Sequence, residues 1–250
     1  MLVPIPPKFQ PICQAFLSGL TSALGDKLHA VYLHGAVIFP EAGTVKDIDF
    51  HVILEAPFTS EETEAINTLH AELAAQFPPV LEELDCYYIL LADARQSAPP
   101  QHQLDTRYFD DMWPLHRAHW LAGRCVVLQG PKPEEILKVP TWQELATALR
   151  FELSEIEKII DDYPAYCVLN LCRVMYSFET ADVVTSKRGS ALRARVLFPE
   201  WAPVISAAVW WYEDQIDESG EVLLATQTNQ FRDFALNRIH NSPNWIDSRS

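Results

Sequence analysis

Tyr32–Leu54 reads YLHGAVIFPEAGTVKDIDFHVIL, and this stretch decides the fold. His29 to Leu33 has the composition of a short strand that runs into a turn at Gly35. A second strand follows at about Asp47 to Leu54. Side chains two apart on a strand share a face, so Asp47 and Asp49 are expected to project together. Ile48, Phe50 and Val52 then point into the core. Two adjacent carboxylates repel unless a cation lies between them. Magnesium suits the position, because it takes hard oxygen ligands and couples one or two carboxylates to phosphates. Gly35 allows close backbone approach, and N–H groups at the start of a following helix supply an anion cradle. Asp-x-Asp also occurs in solvent-facing turns and calcium loops, so the motif alone does not decide the chemistry.

Working outward, Phe9 to Leu24 has helical amphipathic spacing and ends at Gly25, a favoured C-terminal cap residue. Thr59-Ser60-Glu61-Glu62 is a capping-box pattern, with Ile66, Leu69, Leu73 and Phe77 in helical register behind it. A third strand is expected over Leu84 to Leu91, after the Pro78-Pro79 break. Asp85 lies near its start in an otherwise apolar run, where an unpaired carboxylate is costly. A metal-binding or proton-transfer role explains it; the bland alternative is the end of the acidic run Glu82-Glu83. Between Ala92 and Pro140 the pattern weakens, with a helix expected over His116 to Ala122 and a strand over Cys125 to Leu128.

From Thr141 the character changes. Thr141-Trp142-Gln143-Glu144 is a second capping box, followed by Leu145, Leu149, Leu153, Ile156 and Ile160 at helical spacing. Tyr166 to Phe178 is apolar nearly all round and predicts a buried central helix. Further helices are expected at Arg188 to Val196, Ala202 to Asp214 and Glu221 to His240. The one strand-like segment here is Asp182-Val183-Val184. The fold class is therefore α+β: an N-terminal α/β domain with a mixed sheet over residues 1–140, then an all-helical C-terminal bundle over residues 141–250.

The formal charge of −15 disfavours nucleic-acid backbones, since no basic cluster offsets it. It favours a cationic small molecule, although a solvated acidic surface explains the charge equally well. MLVPIPPKF has no basic segment leading into an apolar run, and no stretch approaches the ~18 apolar residues of a membrane span. A cytoplasmic protein with no membrane partner is expected. Five cysteines without a CxxC pair argue against a disulfide framework or zinc knuckle. His116 and His119 stand three apart, but no third ligand accompanies them, so they read as partly exposed helical histidines.

HGA-x10-DID with a third acidic strand resembles the nucleotidyltransferase superfamily that includes DNA polymerase beta. The nearer resemblance is to aminoglycoside adenylyltransferases of the streptomycin/spectinomycin type. It is carried by Tyr166–Thr180 (YCVLNLCRVMYSFET), by Val184-Thr185-Ser186-Lys187, and by Pro199-Glu200-Trp201. The resemblance implies an enzyme that transfers AMP from ATP to a hydroxyl of a small cationic, aminoglycoside-like acceptor, a reaction of antibiotic resistance. The protein would work as a monomer or dimer, without nucleic acid. Asp47 and Asp49 would hold magnesium, Asp85 would act as base or third ligand, and Lys187 would meet the ATP phosphates. Gly35 and Ala36 would lie at the nucleotide.

Three departures accompany the resemblance. Gly-Ser in the family is Gly35-Ala36 here, which loses a hydroxyl but keeps backbone donors. The usual glutamate base is Asp85, set back by about 1.5 Å. An Ala-Ala-x-Trp-Ala pattern is replaced by Ser190-Ala191-Leu192-Arg193-Ala194. The alternative functions are a non-catalytic nucleotide or ligand sensor that keeps the fold, and AMP transfer to a protein hydroxyl. Acceptor contacts are expected among Asp85, Asp161 and Asp162, with Trp113 or Trp120 as a wall.

Overall fold

A computed structural model describes residues 5–45, 47–77 and 84–246 of the chain. Two compact units divide it: one contains the described chain up to Pro40 and Val45–Pro140, the other Glu41–Thr44 and the chain from Thr141 onward. The expected segments Pro78-Pro79 and Glu82-Glu83 lie outside the described residues.

The first unit is built from α1 (Gln10–Leu24), β1 (Leu28–His34), β2 (Ile48–Leu54), α2 (Ser60–Gln76), β3 (Leu84–Leu90), α3 (Leu91–Ala94), α4 (Trp113–Leu121), β4 (Val126–Gln129) and α5 (Pro133–Ile136). The sheet has the order β3-β2-β1-β4. β1 runs antiparallel to β2 and β4, while β2 and β3 are parallel, so the sheet is mixed as expected. Both faces are covered, which is why β2 reads as a nearly unbroken apolar run. On one face Phe16 of α1 packs against Phe50, with ring centroids 4.5 Å apart. α2 joins α1 on that side. A Cβ on Gly19 would sit 2.3 Å from Leu69 Cδ1, so glycine sets this close approach. Thr59 and Glu62 close the predicted capping box, Glu62 N–H donating to Thr59 Oγ1 and Thr59 N–H to Glu62 Oε2.

The opposite face carries Tyr32, Ile53 and Ile89, packed with Trp113 and Trp120 of α4 and with Ile136 and Leu137. Trp113 and Trp120 are 0% and 1% exposed. They are core side chains, and the expectation of an aromatic acceptor wall is corrected: helical spacing places both against the sheet.

The second unit contains α6 (Trp142–Ile159), α7 (Pro164–Thr180), α8 (Lys187–Leu197), α9 (Ala202–Tyr212) and α10 (Glu218–His240). α7 is the predicted central helix and packs against the other four. Its residues from Val168 to Cys172 are all buried and apolar except Asn170, whose amide donates to the Tyr166 carbonyl. α7 ends at Ala181 in the left-handed region, with φ 54°. Asp182-Val183-Val184 is irregular instead of a strand, because Asp182 Oδ1 accepts from the Val184 N–H and turns the chain toward α8. Ser186 caps α8 by accepting the Gly189 N–H, and Arg188 ties the Glu41–Thr44 segment to this unit by donating to the Glu41 carbonyl and the Glu213 carboxylate. No helix among the described residues is long and apolar enough to cross a membrane.

Candidate active site

β1 ends at His34, directly opposite Asp49 of β2. Asp49 in turn pairs across the parallel ladder with Asp85 of β3. The register therefore places two carboxylate-bearing residues side by side, on neighbouring strands at the same level. Gly35 leaves β1 with φ +73° and opens a short 3-10 turn, Gly35–Ile38, that includes Ala36. A Cβ at position 35 would lie 1.6 Å from Asp49 Oδ2. Glycine is demanded here twice, by the backbone angle and by the carboxylate that occupies the space a side chain would need. The close approach anticipated for a phosphate is made first by Asp49.

Two features of the sequence reading need correction. β2 begins at Ile48, so Asp47 stands one residue ahead of the strand and is exposed. The reason lies in β1, whose last ladder partner is Asp49, leaving Asp47 without a pairing residue on that strand. Alternation on β2 thus governs Asp49 but not Asp47. Asp85 is also exposed. The argument from burial cost does not hold for it, and its significance comes from pairing with Asp49. The structure brings Gly35, Asp49 and Asp85 together, with Asp47 adjoining them in the chain. Lys187 belongs to the second unit, where its Nζ lies 4.6 Å from the Tyr166 ring centroid and 5.7 Å from that of Tyr212.

Behind the carboxylates runs a string of histidines. Alternation places Asp49, His51 and Ile53 on one face of β2, grading from site to core. His51 is fully buried and shares a 2.8 Å hydrogen bond with His34 through Nδ1. Its Nε2 lies 3.1 Å from Asp110 Oδ2, and the same oxygen accepts from His116 Nδ1 at 2.8 Å. Asp110 is 2% exposed, and its other oxygen accepts the Met112 N–H just ahead of α4. Stacking of His51 on Tyr87, with centroids 5.2 Å apart, fixes the ring plane.

Burial sets the charges. It holds His34 well below the ordinary histidine range, with His51 and His116 adding to the effect. It brings His51 down to about 4, against the hydrogen bond from Asp110. Burial also opposes the charge on His116, but Asp110 outweighs it and raises that histidine, helped by Asp49 and Asp85. Asp110 is held well below the usual carboxylate range, because His116 and the two imidazole hydrogen bonds overcome its own burial. The string thus favours charge on His116 and Asp110 and neutrality on His34 and His51.

Sequence reasoning missed this string. In the sequence His116 stands beside His119, whereas its companions His51 and Asp110 lie on β2 and in the segment before α4. One signal was available: polar residues at 49 and 51, two apart in an apolar strand.

A prediction follows for the turn. Gly35→Ala should destabilise the protein by about 1–3 kcal/mol through backbone strain and should displace Asp49. Chemical denaturation would report the first effect, and a crystal structure of the variant the second.

The fold is α+β, with a four-stranded mixed sheet in the first unit and a helical second unit. Residues 136–238 match the family model of the aminoglycoside adenylyltransferase C-terminal domain. The spectinomycin adenyltransferase AAD(9) from Enterococcus faecialis, solved with ATP and spectinomycin, has a similar structure: the TM-score is 0.75 at 15% identity, over 92% of this chain and 99% of that one. At that identity the likeness concerns the fold. No curated protein sequence matches the chain. These findings agree with the resemblance read from Tyr166–Thr180 and its flanking motifs.

Proposed function

We propose that the protein is an adenylyltransferase that transfers AMP from ATP to a hydroxyl of a small, cationic, aminoglycoside-like acceptor. The observation that carries this reading is the Asp49–Asp85 pairing at the end of the Gly35 turn, on a fold shared with an adenyltransferase solved with ATP and spectinomycin. The C-terminal domain match supports it. In the reaction, an acceptor oxygen bonds to the α-phosphorus while the bond to the bridging oxygen of the departing pyrophosphate breaks. Asp85 is the base we assign to the hydroxyl proton; its exposure suits a group that must meet an incoming substrate. General bases contribute ~10²–10⁴-fold.

The donor set fits magnesium: Asp47, Asp49 and Asp85 offer hard carboxylate oxygens, and Gly35 leaves room for the Asp49 carboxylate to stand at the turn. Bound magnesium would supply charge neutralisation at the transferred phosphoryl group. Ala36 contributes backbone only, so phosphate contacts in the 3-10 turn fall to N–H groups. The net charge of −15 favours a cationic acceptor at long range. The division of labour we assign is one in which residues 1–140 carry the carboxylates and residues 141–250 carry Lys187.

Lys187 is the ammonium we assign to the ATP phosphates. Lys187→Gln should lower kcat/KM for ATP by about 10–100-fold, the value of a charge-assisted hydrogen bond, as steady-state kinetics would show. The function is tested by calorimetric ATP binding together with acceptor-dependent pyrophosphate release over an aminoglycoside and aminocyclitol panel. ATP binding without turnover would favour a sensor, and neither would sink the enzymatic reading. AMP found on co-purified proteins instead of a small molecule would redirect it to protein modification.

A further inference from the structure

Three donor atoms converge inside the first unit behind the Asp49–Asp85 pair. His51 Nε2, Asp110 Oδ2 and His116 Nδ1 all lie within 4.8 Å of one another. We propose that His51, Asp110 and His116 form a binding site for a divalent transition metal of the zinc class. Two imidazoles and one carboxylate are a donor set suited to zinc, whereas magnesium prefers an all-oxygen set.

The geometry supports this beyond mere proximity. Each of two donors has its other polar atom pinned, so that the free atom points inward. Asp110 Oδ1 accepts the Met112 N–H at 3.1 Å, leaving Oδ2 to face both imidazoles. His51 Nδ1 is held by His34 at 2.8 Å, leaving Nε2 to face Asp110. Outer partners of this kind orient metal ligands and fix their tautomers. The His51 ring is further clamped by Tyr87 and Trp113, with centroids 5.2 and 6.0 Å away.

Two donors on one tetrahedral zinc are separated by ~3.3 Å for bonds near 2.0–2.1 Å. The present separations of 3.1 and 2.8 Å are those of the metal-free hydrogen bonds, so loading requires these two to open by a few tenths of an ångström while the two imidazole nitrogens, within 4.8 Å of each other, come to the same spacing. Loading also releases the His116 Nδ1 proton to solvent and moves the His51 proton from Nε2 to Nδ1, where it is donated to His34 Nε2 as that ring takes the complementary tautomer; a fourth position is left for water. His116 retains 23% side-chain exposure, which provides an entry path that the fully buried His51 lacks. The three ligands come from β2, from the segment before α4 and from α4 itself. A bound ion would therefore fasten α4 and its leading segment to the sheet behind the carboxylates, a structural role independent of the nucleotidyl reaction.

The test uses the full chain. Equilibrium dialysis with zinc should show one high-affinity equivalent, and cobalt should give the visible absorption of a low-symmetry N/O site. His116→Gln keeps a polar partner for Asp110 but removes the imidazole ligand. It should weaken zinc binding by at least ~100-fold, more than the ~10–100-fold that loss of an outer partner costs. Zinc should raise the unfolding temperature of the wild type and not that of His116→Gln. Asp49→Asn should keep the zinc equivalent, which separates this site from the magnesium reading. Absence of a tight equivalent in the wild type, or uptake unchanged in His116→Gln, would overturn the proposal. If His116→Gln does not fold, the wild-type cobalt spectrum decides: coordination by water alone counts against the site.

Discussion

Asp49→Asn is expected to lower kcat/KM for nucleotidyl transfer by ~10³-fold or more while leaving the fold intact. The carboxylate touches the space that Gly35 vacates and pairs across the ladder with Asp85, so it is the best-placed of the three acidic residues. Metal-assisted stabilisation of the transferred phosphoryl group is worth several kcal/mol, and each 1.36 kcal/mol is tenfold in rate. Removing one of two paired like charges relieves repulsion and also removes an attraction to His116, so the unfolding midpoint without magnesium should change little. Kinetics on ATP, paired with urea unfolding, would check both halves. An inactive variant that had lost its fold would say nothing of catalysis; an inactive, fully folded one is the expected result.

The second large effect concerns stability. Asp110→Ala removes the only carboxylate hydrogen-bonded to His51 and His116 among the contacts described above, and should cost about 3–5 kcal/mol, as breaking one side of a buried ion pair does. The pH dependence of the metal-free wild type follows from the same string. His34 and His51 are held neutral in the fold and protonate near 6.5 once unfolded. The unfolded state therefore binds more protons below that value, and stability falls as pH drops from about 6.5 toward 4. His116 has the opposite sign: its raised folded value contributes stability below pH ~6.5 that is lost as pH rises through it. Asp110 adds stability present above its unfolded value, near 4, and lost in stronger acid. Unfolding free energies from urea titrations at pH 7 and pH 5 should differ by at least ~1 kcal/mol per pH unit, with the pH 5 protein weaker.

Much of this architecture was legible because local signals and burial agreed. The capping boxes at Thr59 and Thr141, the apolar Tyr166–Phe178 run and the alternation in Ile48–Leu54 each correspond to an observed cap, helix or strand. What escaped was non-local. Asp110 has no distinguishing neighbours, and only folding brings it from the end of an irregular segment to the face of β2. Trp113 and Trp120 looked available for a ligand because periodicity shows that residues share a face but not which face is covered. Asp85 was singled out for a burial it does not have; register, which sequence does not reveal, is what joins it to Asp49.

The most direct test is mass spectrometry of an acceptor such as spectinomycin or streptomycin after incubation with ATP, magnesium and the protein. The account predicts an acceptor heavier by one adenylyl group, formed by the wild type and lost when magnesium is chelated or Asp49 is changed to Asn. No adenylylated acceptor from the wild type, or equal product from Asp49→Asn, would contradict it.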